Sequence, residues 1–258
     1  MRPNVSNTQV TLIQIDNYGP WTVTPSPRRE VDLQTLQSRL FADLSQMFGM
    51  QDGYVFFTRF DNMVAITNGI DLEDHARIQE SIRNRYPVTI SLGVGHGERP
   101  ASALVDATAR LQNEGSAQDE KRTEVLRGQT VAPDERTDDD VQIAHYDVVN
   151  ATGKYTDELD AFSTFIEIEQ GYASLMQHLH DEHGSLAFFV GGDNVIAISS
   201  GMDHAAFEET VAFVEDDADV ELHVGVGSGA TAHDAGMAAK HGLETCRENG
   251  TRIEGDVP

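Results

Sequence analysis

Two aspartates stand where short apolar runs end. Asp16 closes "TLIQID", and Asp61 sits between the β-rich runs "YVFFTRF" and "MVAIT". The arrangement recurs, with Asp147 closing "VQIAHYD" and Asp193 inside "LAFFVGGDNVIAIS". Two carboxylates at one sheet edge repel each other unless they share a proton or a cation. Ligands that are all oxygen suit Mg²⁺, which keeps several waters and completes its shell with substrate phosphates. Taken singly, each acid is an ordinary strand end or turn. Doubled in register, the acids point to an edge that holds a metal.

Such an edge needs elements to position it, and the chain supplies them twice. Asp16 and Asp147 are 131 positions apart; Asp61 and Asp193 are 132 apart, as are Gly93 of "VTISLGVGHG" and Gly225 of "VELHVGVGSG". The chain therefore reads as two copies of one domain, residues 1–127 and 141–258. They are joined by the acidic, Gly/Pro-bearing segment 128–140, which is expected to be an exposed loop. "QVTLIQID" has the apolar character of a buried strand. Val31, Leu33, Leu36, Leu40 and Leu44 recur at helical spacing up to Gly49, a glycine placed as a C-cap. "YVFFTRF" and "MVAIT" form a hairpin, "DLEDHARIQESIRNRYP" a helix with acids near its start, "VTISLGVG" a strand and "ASALVDATARLQNEG" a helix. The order β-α-β-β-α-β predicts an α+β fold of two tandem ferredoxin-like domains, antiparallel sheets with helices on one face. In that topology the first strand neighbours the hairpin, so Asp16 is expected near Asp61, and Asp147 near Asp193.

Composition narrows the partners. The 258 residues carry 43 acids against 18 bases, a net charge of −25, and Lys121, Lys154 and Lys240 are the only lysines. An acidic, lysine-poor surface fits a salt-rich cytoplasm, where charge repulsion is screened within roughly 3 Å at about 1 M salt. No basic stripe exists to displace phosphate counterions, which argues against nucleic acid as a partner. There is no apolar run near 18 residues and the first ten are polar, so neither a membrane span nor a signal segment is expected. The single cysteine, Cys246, rules out a disulfide within the chain and any zinc site needing two thiolates. It reads as a buried small side chain.

Two motifs read as structure. In "HLHDEH", residues 178–183, helical spacing puts His180 and His183 on one face and His178 elsewhere, the pattern of a solvated helix end. "GVGSGA", Gly225 to Ala230, follows a strand as a dinucleotide fingerprint would. It recurs in the first half as "GVGHG" without an acid-tipped second strand, so it reads as close packing at a strand end.

Both halves resemble the palm-type domain of class III nucleotidyl cyclases and GGDEF diguanylate cyclases. The second half writes "GGDN" at its hairpin, whereas the first writes "RFDN", replacing the paired glycines by Arg59 and Phe60. Over nearly all of both halves the chain resembles the GTP cyclohydrolase III family of archaea. The resemblance rests on "QVTLIQIDNYGPWTVTP", "FTRFDN", "AITNGIDL", "RNRYP", "GSAQDE" and "GGDN". It implies tandem palm-type domains, Mg²⁺ dependence, activation by a monovalent cation such as K⁺, and a homo-oligomer. The implied reaction is hydrolytic opening of the GTP imidazole ring with release of two phosphates, in flavin and deazaflavin biosynthesis. Under that reading Asp16, Asp61 and Asn62 form the catalytic centre, with Asp16 and Asp61, or their equivalents Asp147 and Asp193, on the metal. Asn17, Tyr18, Gly19, Pro20 and Trp21 form a nucleotide-binding turn whose amides meet phosphate. Tyr18, Trp21 or Phe60 stack on guanine; Arg28, Arg29 and Arg59, with Arg83 and Arg85, are phosphate partners, and Asn62 and Gln118 read the base edge. A nucleotidyl cyclase and a nucleotide sensor without turnover are the competing expectations. Which half hosts the chemistry stays open at the level of sequence.

Overall fold

A computed structural model describes residues 7–59, 61–132, 135–137 and 140–257. The first half runs β1 (Thr8–Ile15), α1 (Tyr18–Val23), α2 (Glu30–Gly49), β2 (Tyr54–Arg59), β3 (Asn62–Ile66), α3 (Leu72–Arg85), β4 (Ile90–Gly97), α4 (Pro100–Gln112) and β5 (Leu126–Gly128). The second runs β6 (Val141–Val148), a π-helical turn (Thr152–Thr156), α5 (Ala161–His183), β7 (Leu186–Gly191), β8 (Asn194–Ser199), α6 (His204–Ala218), β9 (Leu222–Gly229), α7 (Ala232–Asn249) and β10 (Ile253–Gly255). The strand orders are β2-β3-β1-β4-β5 and β7-β8-β6-β9-β10, so the repeat in sequence is a repeat in topology.

In each half the first strand is central, antiparallel to its hairpin and to the fourth strand. That position explains its continuous apolar run. Ile13 and Ile15 join the cluster formed by α2 and α3, while Val10 and Leu12 meet Ala103, Ala107 and Leu111 of α4 on the other face. Along α2 the buried stripe is Leu36, Leu40, Leu44 and Phe48, whereas Val31, part of the expected periodicity, is exposed. Asp71 caps α3 by accepting from the Asp74 amide at 2.9 Å.

The two helices inside the β-α-β-β-α-β unit cover one face, as expected; the trailing helices α4 and α7 cover the other. Glycine makes that second layer possible. A Cβ on Gly93 or Gly95 would come within 2.3 Å of the α4 backbone, and on Gly225 or Gly227 within 2.1 and 2.3 Å of α7. The "GVG" strings are thus close packing of helix on strand, with Ala103, Ala107, Ala235 and Ala239 as the small residues opposite. The edge strands β5 and β10 pair in parallel with β4 and β9 and were not anticipated. Within the segment 128–140, expected to be an exposed loop, the described residues include two anchors: Val131 and Asp140 are buried, and the Val131 amide donates to Gln9 Oε1 at 2.9 Å.

The halves meet across a pseudo-twofold axis. Phe56 and Phe188, repeat equivalents, stack on each other with centroids 4.5 Å apart and planes 7° from parallel. The Ala101 amide donates to the Gly184 carbonyl, and the equivalent His233 amide donates to the Asp52 carbonyl, both at 3.0 Å. Val10, Val64 and Ile66 from one sheet and Ile143, Leu186 and Ile198 from the other complete a shared apolar cluster.

Candidate functional site

The end of β1 is built by hydrogen bonds from three directions. Asp16 is 4% exposed. Its Oδ2 accepts from Thr89 Oγ1 and the Glu124 amide, both at 2.8 Å, and its Oδ1 accepts from Ser91 Oγ at 2.5 Å. A carboxylate offers about four lone-pair positions, so one on Oδ1 is left. Asn17 follows in the left-handed region at φ 50°, and its Oδ1 is buried without a donor. Asp16, Asn17, Trp21, Tyr86, Thr89 and Thr123 line a cavity of about 300 Å³. A buried carboxylate beside an orphaned amide oxygen, in a cavity whose polar lining is oxygen-rich, fits a hard divalent cation. Among the described residues no group of three His, Cys, Asp or Glu side chains assembles for a metal, so such a cation would lean on neutral oxygens and substrate.

The turn after Asp16 is placed as expected, but its amides are largely taken. Asn17 N donates to the Ala117 carbonyl at 2.6 Å, Gly19 N to Gln118 Oε1 at 2.8 Å and Trp21 N to the Asn17 carbonyl at 2.9 Å, while Pro20 has no N–H. Glycine at 19 lets the Gln118 bond form, since a Cβ would lie 2.6 Å from Gln118 Oε1 and the Gln118 side chain would have to move away. Gln118 thus holds the turn. Tyr18 and Trp21 stack at 6.1 Å, and Gln37 donates to the Tyr18 hydroxyl at 2.8 Å. Burial raises the Tyr18 hydroxyl above its ordinary value, with Glu30 and Asp61 adding to the effect.

Asp61 meets β1 through the main chain, its carbonyl accepting from Ile15 N at 3.0 Å. Its carboxylate sits 3.4 Å from Arg59, while that of Asp16 is engaged by β4 and the segment before β5. Asn62 opens β3 opposite Gln14. Phe60 lies outside the described residues. Of the candidate arginines, Arg29 pairs with Asp32, Arg83 with Glu80 and Glu124, and Arg85 with Asp43. Arg28 differs: it lies 3.9 Å over the Trp21 ring and donates to the Trp21 carbonyl.

The second half keeps the acids and changes their company. Arg247 takes Asp147 with two prongs, Nη2 to Oδ1 at 2.8 Å and Nε to Oδ2 at 3.3 Å. Burial, then the charge of Asp147, raises the Asp193 carboxyl, and His145 Nε2 donates to Asn194 Oδ1 at 2.9 Å. A cation already fills the position that Asp147 would offer a metal.

Of the strap of residues 116–125 that closes over Asp16, sequence reasoning named only Gln118, as a reader of the base edge rather than a tie to the Gly19 amide, and it missed Arg122. Arg122 is 4% exposed, donates through Nη2 to Gln14 at 2.9 Å, and has Nε and Nη1 buried without partners; burial lowers its pKa. Thr89 and Ser91 carried a signal, since they alternate with Val88, Ile90 and Leu92. Elsewhere, His178 and His183 face each other at 5.7 Å and His180 is exposed, which reverses the expected grouping. Cys246 is buried, its thiol raised by burial.

Comparison with known proteins places the chain in a family. The family model described as GTP cyclohydrolase III matches residues 10–257. GTP cyclohydrolase III 1 of Halobacterium salinarum is 68% identical over 250 residues, covering 97% of this chain and 98% of that protein. GTP cyclohydrolase III of Natronomonas pharaonis is 65% identical over 97% of this chain and 99% of its own, and that of Methanocaldococcus jannaschii 52% over 93% and 88%. Among solved structures, the FimX GGDEF domain from Pseudomonas aeruginosa matches at 15% identity with a TM-score of 0.39, covering 49% of this chain and 83% of that one. Matched along nearly its whole length, the chain belongs to the GTP cyclohydrolase III family.

Proposed function

We propose that the chain hydrolyses GTP to 2-amino-5-formylamino-6-(5-phosphoribosylamino)pyrimidin-4(3H)-one and two phosphates, at the end of β1 in the first half. This is a cyclic amidine hydrolysis of the GTP cyclohydrolase IIa class, and its product would feed flavin and deazaflavin biosynthesis. Water adds to C8 and the C8–N9 bond breaks, leaving the formyl group on N7 and a hydrogen on N9; each phosphate released consumes a further water. The observation that carries the reading is the family match across residues 10–257.

The contrast between the halves supports the choice of half. Asp16 is held by neutral donors and keeps a lone pair, whereas Asp147 is neutralised by Arg247. Asp16 and Asn17 would hold Mg²⁺, joined by Asp61 once its carboxylate leaves Arg59, and the ion when bound polarises phosphoryl oxygens and lowers the pKa of a bound water. Trp21 and Tyr18 form an aromatic wall for the base, and Arg28, with no carboxylate on its guanidinium among its described contacts, meets phosphate. Activation by K⁺ and a homo-oligomer belong to the same proposal.

The test is mass spectrometry of GTP incubated with the protein, Mg²⁺ and high KCl. The ring-opened monophosphate is expected; a cyclic product with intact purine would mean a cyclase, and unchanged GTP a sensor. Asp16→Asn should lower turnover by roughly 100-fold or more, and Asp147→Asn by less than about tenfold. The opposite ranking would move the site to the second half.

A further inference from the structure

We propose that His178 and His183, at the end of α5, hold a divalent transition-metal ion of the zinc class, with Glu209 of α6 as the third ligand. Both imidazoles carry a buried Nε2 with no hydrogen-bond partner among the described residues. Their ring centroids lie 5.7 Å apart with planes at 63°. An ion bonded at about 2.0–2.1 Å to one nitrogen of each ring can bridge that span. His178 is 9% exposed, and His183, half-buried, leaves a way in from the surface.

The fold does not require imidazole here. Leu44 and Phe48 of α2 match Leu175 and Leu179 of α5, which makes His178 the equivalent of Met47. Met47 packs against the first-half core without a nitrogen to satisfy. The second half instead has two ring nitrogens unpaired, and a buried polar atom without a partner is destabilising. Nor does the helix end account for them. A histidine there is favoured as a cation beside the last carbonyls, whereas burial, then the His178 ring beside it, lowers the His183 pKa. Protonated at Nδ1, a neutral ring offers its Nε2 lone pair, and one shared cation satisfies two of them.

The surroundings choose the ion. Phe213 of α6 stacks on His178 at 4.4 Å, and Glu209 stands one helical turn before it, with its charge reaching His183. The carboxylate is not assembled with the two rings in this structure, and its rotatable side chain closes the set when the ion arrives. Two imidazoles with one carboxylate suit zinc and its neighbours, whereas Mg²⁺ asks for oxygen. The ion would pin the end of α5 to α6, next to the Gly184 carbonyl that accepts from Ala101 across the halves. Its part is to stabilise, apart from the hydrolysis proposed at β1.

The full chain, stripped of metal with EDTA, desalted and returned to excess Mg²⁺ in about 2 M KCl, is titrated with Zn²⁺ by calorimetry and melted with and without the ion. One saturable event that Mg²⁺ does not suppress, and a raised melting temperature, are expected. His178→Met, which installs the first-half residue, and His183→Gln should each weaken binding at least about tenfold and abolish the thermal shift. Glu209→Gln should weaken it several-fold, and His180→Gln, at an exposed position of α5, should leave it unchanged. Without Zn²⁺ all four variants should keep the GTP turnover of the parent. If His178→Met does not fold, His183→Gln, at a half-buried position, decides alone. No saturable binding, or binding that either histidine variant leaves intact, would overturn the proposal; so would its loss in His180→Gln.

Discussion

Gly19 shows how little room the first-half site leaves. Its missing Cβ allows Gln118 Oε1 to reach the turn amide, and that bond ties the strap to the loop after Asp16. Gly19→Ala should push Gln118 away and raise the KM for GTP several-fold, with a smaller effect on the melting temperature; Gln118→Ala should reproduce the KM change. Steady-state kinetics with a thermal melt on the same samples checks the split. His75 sets an acid limit on stability. Its Nδ1 donates to the Asp71 carbonyl and its Nε2 accepts from Thr11 Oγ1 at 2.8 Å. Burial lowers its pKa, as it does for His145 and His183. Below the ordinary histidine value of about 6.5, the unfolded chain binds protons that the folded chain refuses. The stability these groups contribute is therefore complete above that pH and is lost as pH falls through the lowered folded values. Urea midpoints should drop between about pH 6.5 and 5, and His75→Asn should flatten that slope. A midpoint that is level over this range would exclude the effect.

At the scale of elements, the strands and helices with regular apolar spacing were readable, and so was the repeat of 131 to 132 residues. The stripe Leu36–Leu40–Leu44–Phe48 is one such element. The parallel edge strands were not readable, because three residues carry no periodicity and their pairing is set by β4 and β9. For the site, the strand-end acids and the turn were visible in sequence. Their partners were not: Glu124 is 108 positions from Asp16, Arg247 is 100 from Asp147, and nothing local announces either bond. The glycine strings give a prediction of their own. A Cβ on Gly227 would already lie 2.3 Å from Ala239 N. Gly227→Val would drive two further methyl groups into the α7 backbone and should lower the melting temperature by several degrees or more. Gly191→Val, where nothing lies within 4 Å of the Cβ position, should show backbone strain without a packing clash, since its φ is +111°. Thermal melts of the pair separate steric from conformational cost.

For the whole molecule, charge and symmetry set the terms. With a net charge of −25, self-repulsion loads the folded state, and relatives at 62–68% identity come from halophilic archaea. The urea midpoint should rise markedly from about 10 mM to about 2 M KCl; a midpoint independent of salt would refute this. The halves cohere through the Phe56–Phe188 stack, so Phe56→Ala and Phe188→Ala should each destabilise by about 3–5 kcal/mol. The double variant should fall short of their sum by roughly 0.5–1.5 kcal/mol. The paired bonds Ala101–Gly184 and His233–Asp52 carry a further consequence. A symmetric pair of separate chains must alter both of its sites with every substitution, and it comes apart on dilution. Two copies on one chain stay together at any concentration, and each can change alone. Arg247 could close one strand end onto Asp147 while Asp16 kept its neutral donors, a division of labour that no homodimer of identical halves can reach.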